Sequence, residues 1–171
     1  MLTFRPTLML AKRLHLDLPP GEVPAGNPFT DWCAHGFTAQ RHRYVILTNT
    51  RSLFSVVTHG AGYTSEDAFI RRAVEAIRET LRDSGRDFAW ERHIAPATMA
   101  VRFARLTDRR VMGSMNDLIY MARVHLEGRD ISPMELSARM NETPLSLLWK
   151  RGTAGSPDRA FDEMTQRSGV E

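Results

Sequence analysis

The chain has a single cysteine, Cys33, among 171 residues, which excludes an internal disulfide and leaves burial as the means of holding the fold together. It also lacks any run approaching the roughly 18 to 20 uninterrupted apolar residues of a membrane-spanning helix. A soluble protein without a membrane partner is therefore expected. The opening MLTFRPTLMLAKRLHLDLPP breaks its apolar run at Lys12 and Arg13 and has no small-residue cleavage site, so it does not read as a signal peptide. With the unpaired cysteine, this predicts a cytoplasmic location. Charge of one sign is scarce as well: the formal net charge is +3, far from the dense basic patches of dedicated nucleic-acid binders. Internal repeats and low-complexity tracts are absent.

What is present is a globular balance, with 42% hydrophobic and 25% charged residues. That is enough apolar material to offset chain entropy and excludes global disorder. The length fits one domain rather than two. We expect a single α+β domain over 1–149, followed by a polar tail over 150–171 that either frays or docks a short helix from Pro157 to Gln166 through Phe161 and Met164.

Periodicity supplies the elements. Leu2 to Phe4 is β-prone, and Pro6 with Thr7 starts a helix through Leu14. Six proline and glycine residues between Leu18 and Phe29 mark a surface loop. Trp32–Ala39, Tyr44–Leu47 and Leu53–Val57 read as a three-stranded antiparallel meander. Thr64 caps a helix whose stripe is Ile70, Ala73, Val74, Ile77 and Leu81, ended by Ser84 and Gly85. Met99, Val101 and Phe103 alternate as a further strand. A second long helix is expected after the turn Asp108–Arg110, capped by Ser114 with Asp117 three residues on, and it stops at Gly128. Ser132, Pro133 and Glu135 place a cap, a first-turn proline and a returning glutamate in register for a third helix to about Met140. Leu145–Trp149 adds one short helical turn. The sum is an α+β fold: an antiparallel or mixed sheet with helices packed on it and a helical C-terminal part.

The blocks LTFRPT with LAKRL, NPFTDW, RYVILTNTRSLFSVV and TDRRVMGSMNDL, in this order, resemble a bacterial family of small single-domain proteins of unknown function. The likeness runs from Leu2 to Trp149, and TDRRVMGSMND is its most specific block. It implies an autonomous domain and supplies no activity.

Asp31, Cys33 and His35 alternate, so a strand would present all three on one face as potential zinc ligands. No second Cys/His pair exists to complete such a site, and no metal or cofactor is expected. His15, His42, His59, His93 and His125 are scattered, without the spacing of a metal helix. Arg71, Arg72, Arg78 and Arg82 interleave with Glu75 and Glu79, which predicts a solvated, salt-bridged face. Arg109, Arg110, Gly113, Ser114, Asn116 and Asp117 gather at the strand-to-helix junction, where free N–H groups and the helix dipole attract anions. We expect this junction to bind an anionic small molecule or protein, without enzymatic activity. Two alternatives stand beside it: a small hydrolase using Asp117 and Asn116 with His59 or His35, and weak nucleic-acid binding through Arg102, Arg105, Arg109 and Arg110.

Overall fold

β1 (Leu2–Pro6) lies in the middle of the protein, and all five of its residues are buried. A computed structural model describes residues 1–153 and 155–169. From β1 the chain passes through α1 (Leu8–Arg13) and the proline-rich loop to β2 (Asp31–Ala39), β3 (His42–Asn49) and β4 (Ser55–His59). It then runs through α2 (Glu66–Asp83) to a string of short turns. These are α3 (Asp87–Ala89), a π turn (Trp90–Ile94) and a 3-10 turn (Ala95–Met99). β5 (Val101–Phe103), α4 (Arg109–Leu126), α5 (Pro133–Glu142), α6 (Ser146–Lys150) and α7 (Pro157–Ser168) complete it.

The sheet order is β4-β3-β2-β1-β5. The expected meander forms, with β2 and β3 paired from Trp32↔Asn49 to Ala39↔His42, and β3 and β4 from Tyr44↔His59 to Thr48↔Ser55. β1 is inserted beside it, parallel to both β2 and β5. The sheet is therefore mixed. Parallel pairing requires crossovers, and these put helices on a face.

Alternation along the strands decides which helices go where. Leu2, Phe4, Trp32, Ala34, Val45, Leu47 and Val56 pack against α1, α2 and the short turns. Cys33, Phe37, Tyr44, Ile46 and Val57 pack against α4, α5 and α6. Strands covered on both faces are apolar on both, which is why Tyr44–Leu47 reads as a continuous hydrophobic run.

Several boundaries differ from the sequence reading. Pro6 belongs to β1, and Thr7 precedes α1. Ser65, not Thr64, caps α2, its side chain accepting from Ala68 N at 3.2 Å. α4 begins at Arg109, with Asp108 accepting from Arg110 N and Val111 N at 2.8 and 3.4 Å. Ser114 sits within its second turn and caps nothing. Ser132 caps α5 as expected, accepting from Glu135 N at 3.1 Å, but Glu135 turns outward to Arg139 at 2.6 Å instead of back to the cap. The tail forms α7, whose Phe161 is fully buried against Phe29 and Phe54. Arg86 anchors it through Asp158 and Asp162 at 3.1 and 2.8 Å.

β4 is an edge strand, and α5 covers its free backbone. Asn141 Nδ2 donates to Ser55 O at 2.8 Å while its Oδ1 accepts from Ser55 N at 2.7 Å. One turn earlier, Ser137 Oγ accepts from Val57 N at 2.8 Å. Side chains spaced four apart on a helix thus substitute for a neighbouring strand and close the edge to pairing with other chains. No helix among the described residues is long and apolar enough to cross a membrane.

Candidate functional site

Arg5 is 5% exposed and points to the α4 face of the sheet. Its register partner in β2 is Cys33, but its guanidinium forks onto Asp31, Nε to Oδ1 at 2.7 Å and Nη2 to Oδ2 at 2.9 Å. Asp31 itself is 1% exposed. Burial of an unpaired charge is so costly that such a pair must be fully bonded. The remaining Arg5 donors go to Arg105 O at 3.0 Å and Val23 O at 2.7 Å. One side chain therefore fastens both the β5–α4 connection and the proline-rich loop to the sheet.

Between those two segments opens a cleft of about 560 Å³, whose walls include Arg5, Glu22, Thr50, Arg51, Asp108 and Arg151. The β3–β4 turn presents Arg51, and Asn49 shapes that turn: its Oδ1 accepts from Arg51 N at 3.1 Å and Ser52 N at 2.9 Å. Arg151, at the end of α6, donates to Thr50 O and Arg51 O at 2.9 and 2.7 Å. Its nearest carboxylate, Asp108, is 3.8 Å away. Burial holds the Arg151 guanidinium below its ordinary range; Asp108 opposes this, while the like charges of Arg51 and Arg110 add to it. Three cations therefore gather at the N-terminal end of an 18-residue helix, and Asp108, which caps it, also stands 3.9 Å from Arg110 and 3.8 Å from Arg151.

On the other side of Leu106 and Thr107 lies a second cleft of about 500 Å³, mostly apolar, lined by Pro6, Thr7, Met9, His35, Met112 and Asn116 among others. It sits at the C-terminal end of β1, where ligands of α/β sheets collect. Thr7 Oγ1 and His35 Nδ1 are buried here without hydrogen-bond partners among the described residues. Burial lowers the pKa of His35, opposed in part by the Gly36 backbone and aided by Arg123.

The residues singled out from sequence are thus dispersed by α4. Arg110 reaches the charged cleft electrostatically, and Asn116 lines the apolar one. Arg109, Gly113 and Asp117 are exposed, Ser114 is buried, and none of the four lines either cleft. His35 and Asn116 share the apolar cleft, whereas Asp117 makes no hydrogen bond to a histidine among the described residues. Arg102 is engaged with Thr3 Oγ1 at 2.9 Å, which separates it from exposed Arg105, Arg109 and Arg110. Asp31, Cys33 and His35 do share one face, but Asp31 is committed to Arg5, and burial, with Asp31 nearby, pushes the Cys33 thiol far up. No group of three or more His, Cys, Asp or Glu residues among the described residues is arranged to hold a metal.

Sequence reasoning missed Arg5, Arg51 and Arg151, which are far apart along the chain. The only available signal was a charged residue inside an otherwise apolar strand, at Arg5. No curated protein and no solved structure matches the chain. A family model described as a domain of unknown function, DUF6933, matches residues 3–160, and the chain belongs to that family.

Proposed function

We propose that this protein is a binding domain for a small organic anion, held in the cleft between the proline-rich loop and the β5–α4 connection. The observation that carries the reading is the gathering of Arg51, Arg110 and Arg151 at the start of α4, where a single carboxylate, Asp108, stands at 3.8 Å from half-buried Arg151 and 3.9 Å from Arg110 while also capping the helix. An anion there would relieve the repulsion and gain charge-assisted bonds from planar donors suited to carboxylate or phosphate. The helix dipole adds a favourable field. Glu22 and Asp108 on the walls favour a ligand that also carries hydrogen-bond donors.

A calorimetric and thermal-shift screen of small carboxylates and organic phosphates tests this. Arg51→Ala and Arg110→Ala together should weaken binding at least about tenfold, the scale of one lost charge-assisted contact, while leaving the unliganded melting temperature nearly unchanged. Undiminished binding in that variant removes the reading. The two unpartnered polar atoms in the adjoining cleft support a second reading, a neutral and largely apolar ligand seated on His35 and Thr7. Binding that responds to His35→Ala and not to Arg51→Ala would favour it.

A further inference from the structure

A second group of arginines lies at the other end of β3. A cleft of about 410 Å³ opens there, walled by Arg13, Arg41, His42, Arg43, His59 and Tyr63 together with the His59–Thr64 loop. No aspartate or glutamate is among its lining residues. None of Arg13, Arg41, Arg43 or nearby Arg72 forms an ion pair among the described residues. Acidic groups stand outside the walls: Glu66 and Asp67 in the first turn of α2, just past Thr64, Glu127 beside the Leu126 carbonyl, and Glu75, which acts on Tyr63 together with Arg72. The Arg72 guanidinium lies 6.0 Å from the Tyr63 ring centroid.

The backbone is built to keep these groups together. Ala39 pairs with His42, so Gln40 and Arg41 form a two-residue hairpin turn, and both are left-handed, at φ 47° and 68°. Such turns normally place asparagine and glycine at these positions, because other side chains are strained there. Here the second position carries a guanidinium that lines the cleft. The Gln40 side chain pins the turn by donating to Leu126 O at the end of α4. Across the cleft the loop presses onto Arg43: Gly60 N donates to Arg43 O at 2.7 Å, and a Cβ on Gly60 would stand 2.9 Å from Arg43 Cβ. Gly62, at φ +84°, similarly leaves room for Arg72.

We propose that this cleft binds the polyphosphate group of a small molecule. Arg13, Arg41 and Arg43 arrive from three separate elements, α1, the hairpin turn and β3. A compact ligand with several adjacent negative charges can meet all of them, whereas a single carboxylate cannot. Guanidiniums also suit phosphate oxygens by geometry, and the open, strongly cationic cleft would draw such a ligand from solution. The site is independent of the arginine cleft beside α4: the two flank opposite ends of β3, about 25 Å apart at strand rise.

Isothermal titration of the full chain with orthophosphate, pyrophosphate and tripolyphosphate tests the assignment. Affinity should climb with each added phosphate and fall steeply with salt. Arg41→Gly is the informative variant, since it deletes one cation while relieving the strained turn. It should weaken tripolyphosphate binding at least tenfold and raise the unliganded melting temperature. Arg13→Gln, on α1, should weaken binding to a similar degree. Repeated in an Arg51→Ala, Arg110→Ala background, which silences the other cleft, the titration should keep its dependence on Arg41 and Arg13, so failure here and failure at the other cleft are told apart. Absence of binding, equal affinity for orthophosphate and tripolyphosphate, or unchanged affinity in Arg41→Gly would overturn the proposal. Tighter binding of an RNA oligonucleotide than of tripolyphosphate would also overturn it, in favour of a nucleic-acid partner.

Discussion

Arg5 and Asp31 form a two-bond ion pair in the interior, at 2.7 and 2.9 Å, linking β1 to the first residue of β2. With its other donors Arg5 ties down the loop carbonyl of Val23 and the connection carbonyl of Arg105. Removing either partner strands the other charge in the core. Arg5→Met or Asp31→Asn should each cost about 3–5 kcal/mol, lowering the melting temperature by roughly 6–20 °C for a domain of this size. Arg5→Met with Asp31→Leu should recover much of that loss. Equal losses in single and double variants, by denaturant titration, would show that the pair itself is worth keeping.

The start of α4 can be located by mutation. Asp108→Ala removes a side-chain acceptor from two backbone N–H groups and should destabilise by about 1 kcal/mol. Ser114→Ala should change stability by less than half of that, since Ser114 caps nothing. The reverse ranking in chemical denaturation would place the helix start where the sequence pattern put it.

Asn141 closes the sheet edge, and its truncation leaves the N–H and C=O of Ser55 without partners. Asn141→Ala should cost about 2–6 kcal/mol, the sum of two buried unsatisfied groups, and should expose β4 to pairing with other chains. Thermal denaturation would show the first effect, and light scattering near the midpoint the second. A variant with wild-type stability and no added aggregation would refute the edge-closing role.

His35 and His93 both have pKa values lowered by burial. His93 stacks on Phe29 at 4.1 Å between centroids. A lowered folded-state value means the unfolded chain binds protons first. Stability from these groups is therefore fully present above about pH 6.5 and is lost as pH falls below it. In paired denaturant titrations at pH 7.5 and 5.5, the wild type should lose more stability than the His35→Gln, His93→Gln double variant. Identical losses would mean that neither imidazole resists protonation.

The elements of the fold were largely legible in the sequence, because each rests on local regularities. The meander shows in its β-branched and aromatic runs, α2 in its 3.6-residue stripe, and α5 in the Ser132, Pro133 pair. The start of α4 was misplaced because Ser114 and Asp108 are both good caps on pattern alone. The better choice depends on where β5 ends, and that is set by its pairing with β1. The turns from Asp87 to Met99 were illegible for a similar reason. Their residues follow no single period, and they are shaped by packing onto the α2 side of the sheet.

The candidate sites were read least well. Arg51 and Arg151 are a hundred positions apart and meet only because α6 is laid beside the β3–β4 turn. Arg13, Arg41 and Arg43 look like ordinary surface charges until α1 and the hairpin are brought to one end of the sheet.

The sequence by itself determined the class of fold, the meander, the positions of the main helices and the apolar stripes that cover them, since hydrophobic periodicity and capping act within a few residues. The tertiary structure decided that β1 sits inside the sheet and that Arg5 and Asp31 meet, and it decided which arginines share a cleft. Charges act through space, and only the packed chain sets their separation.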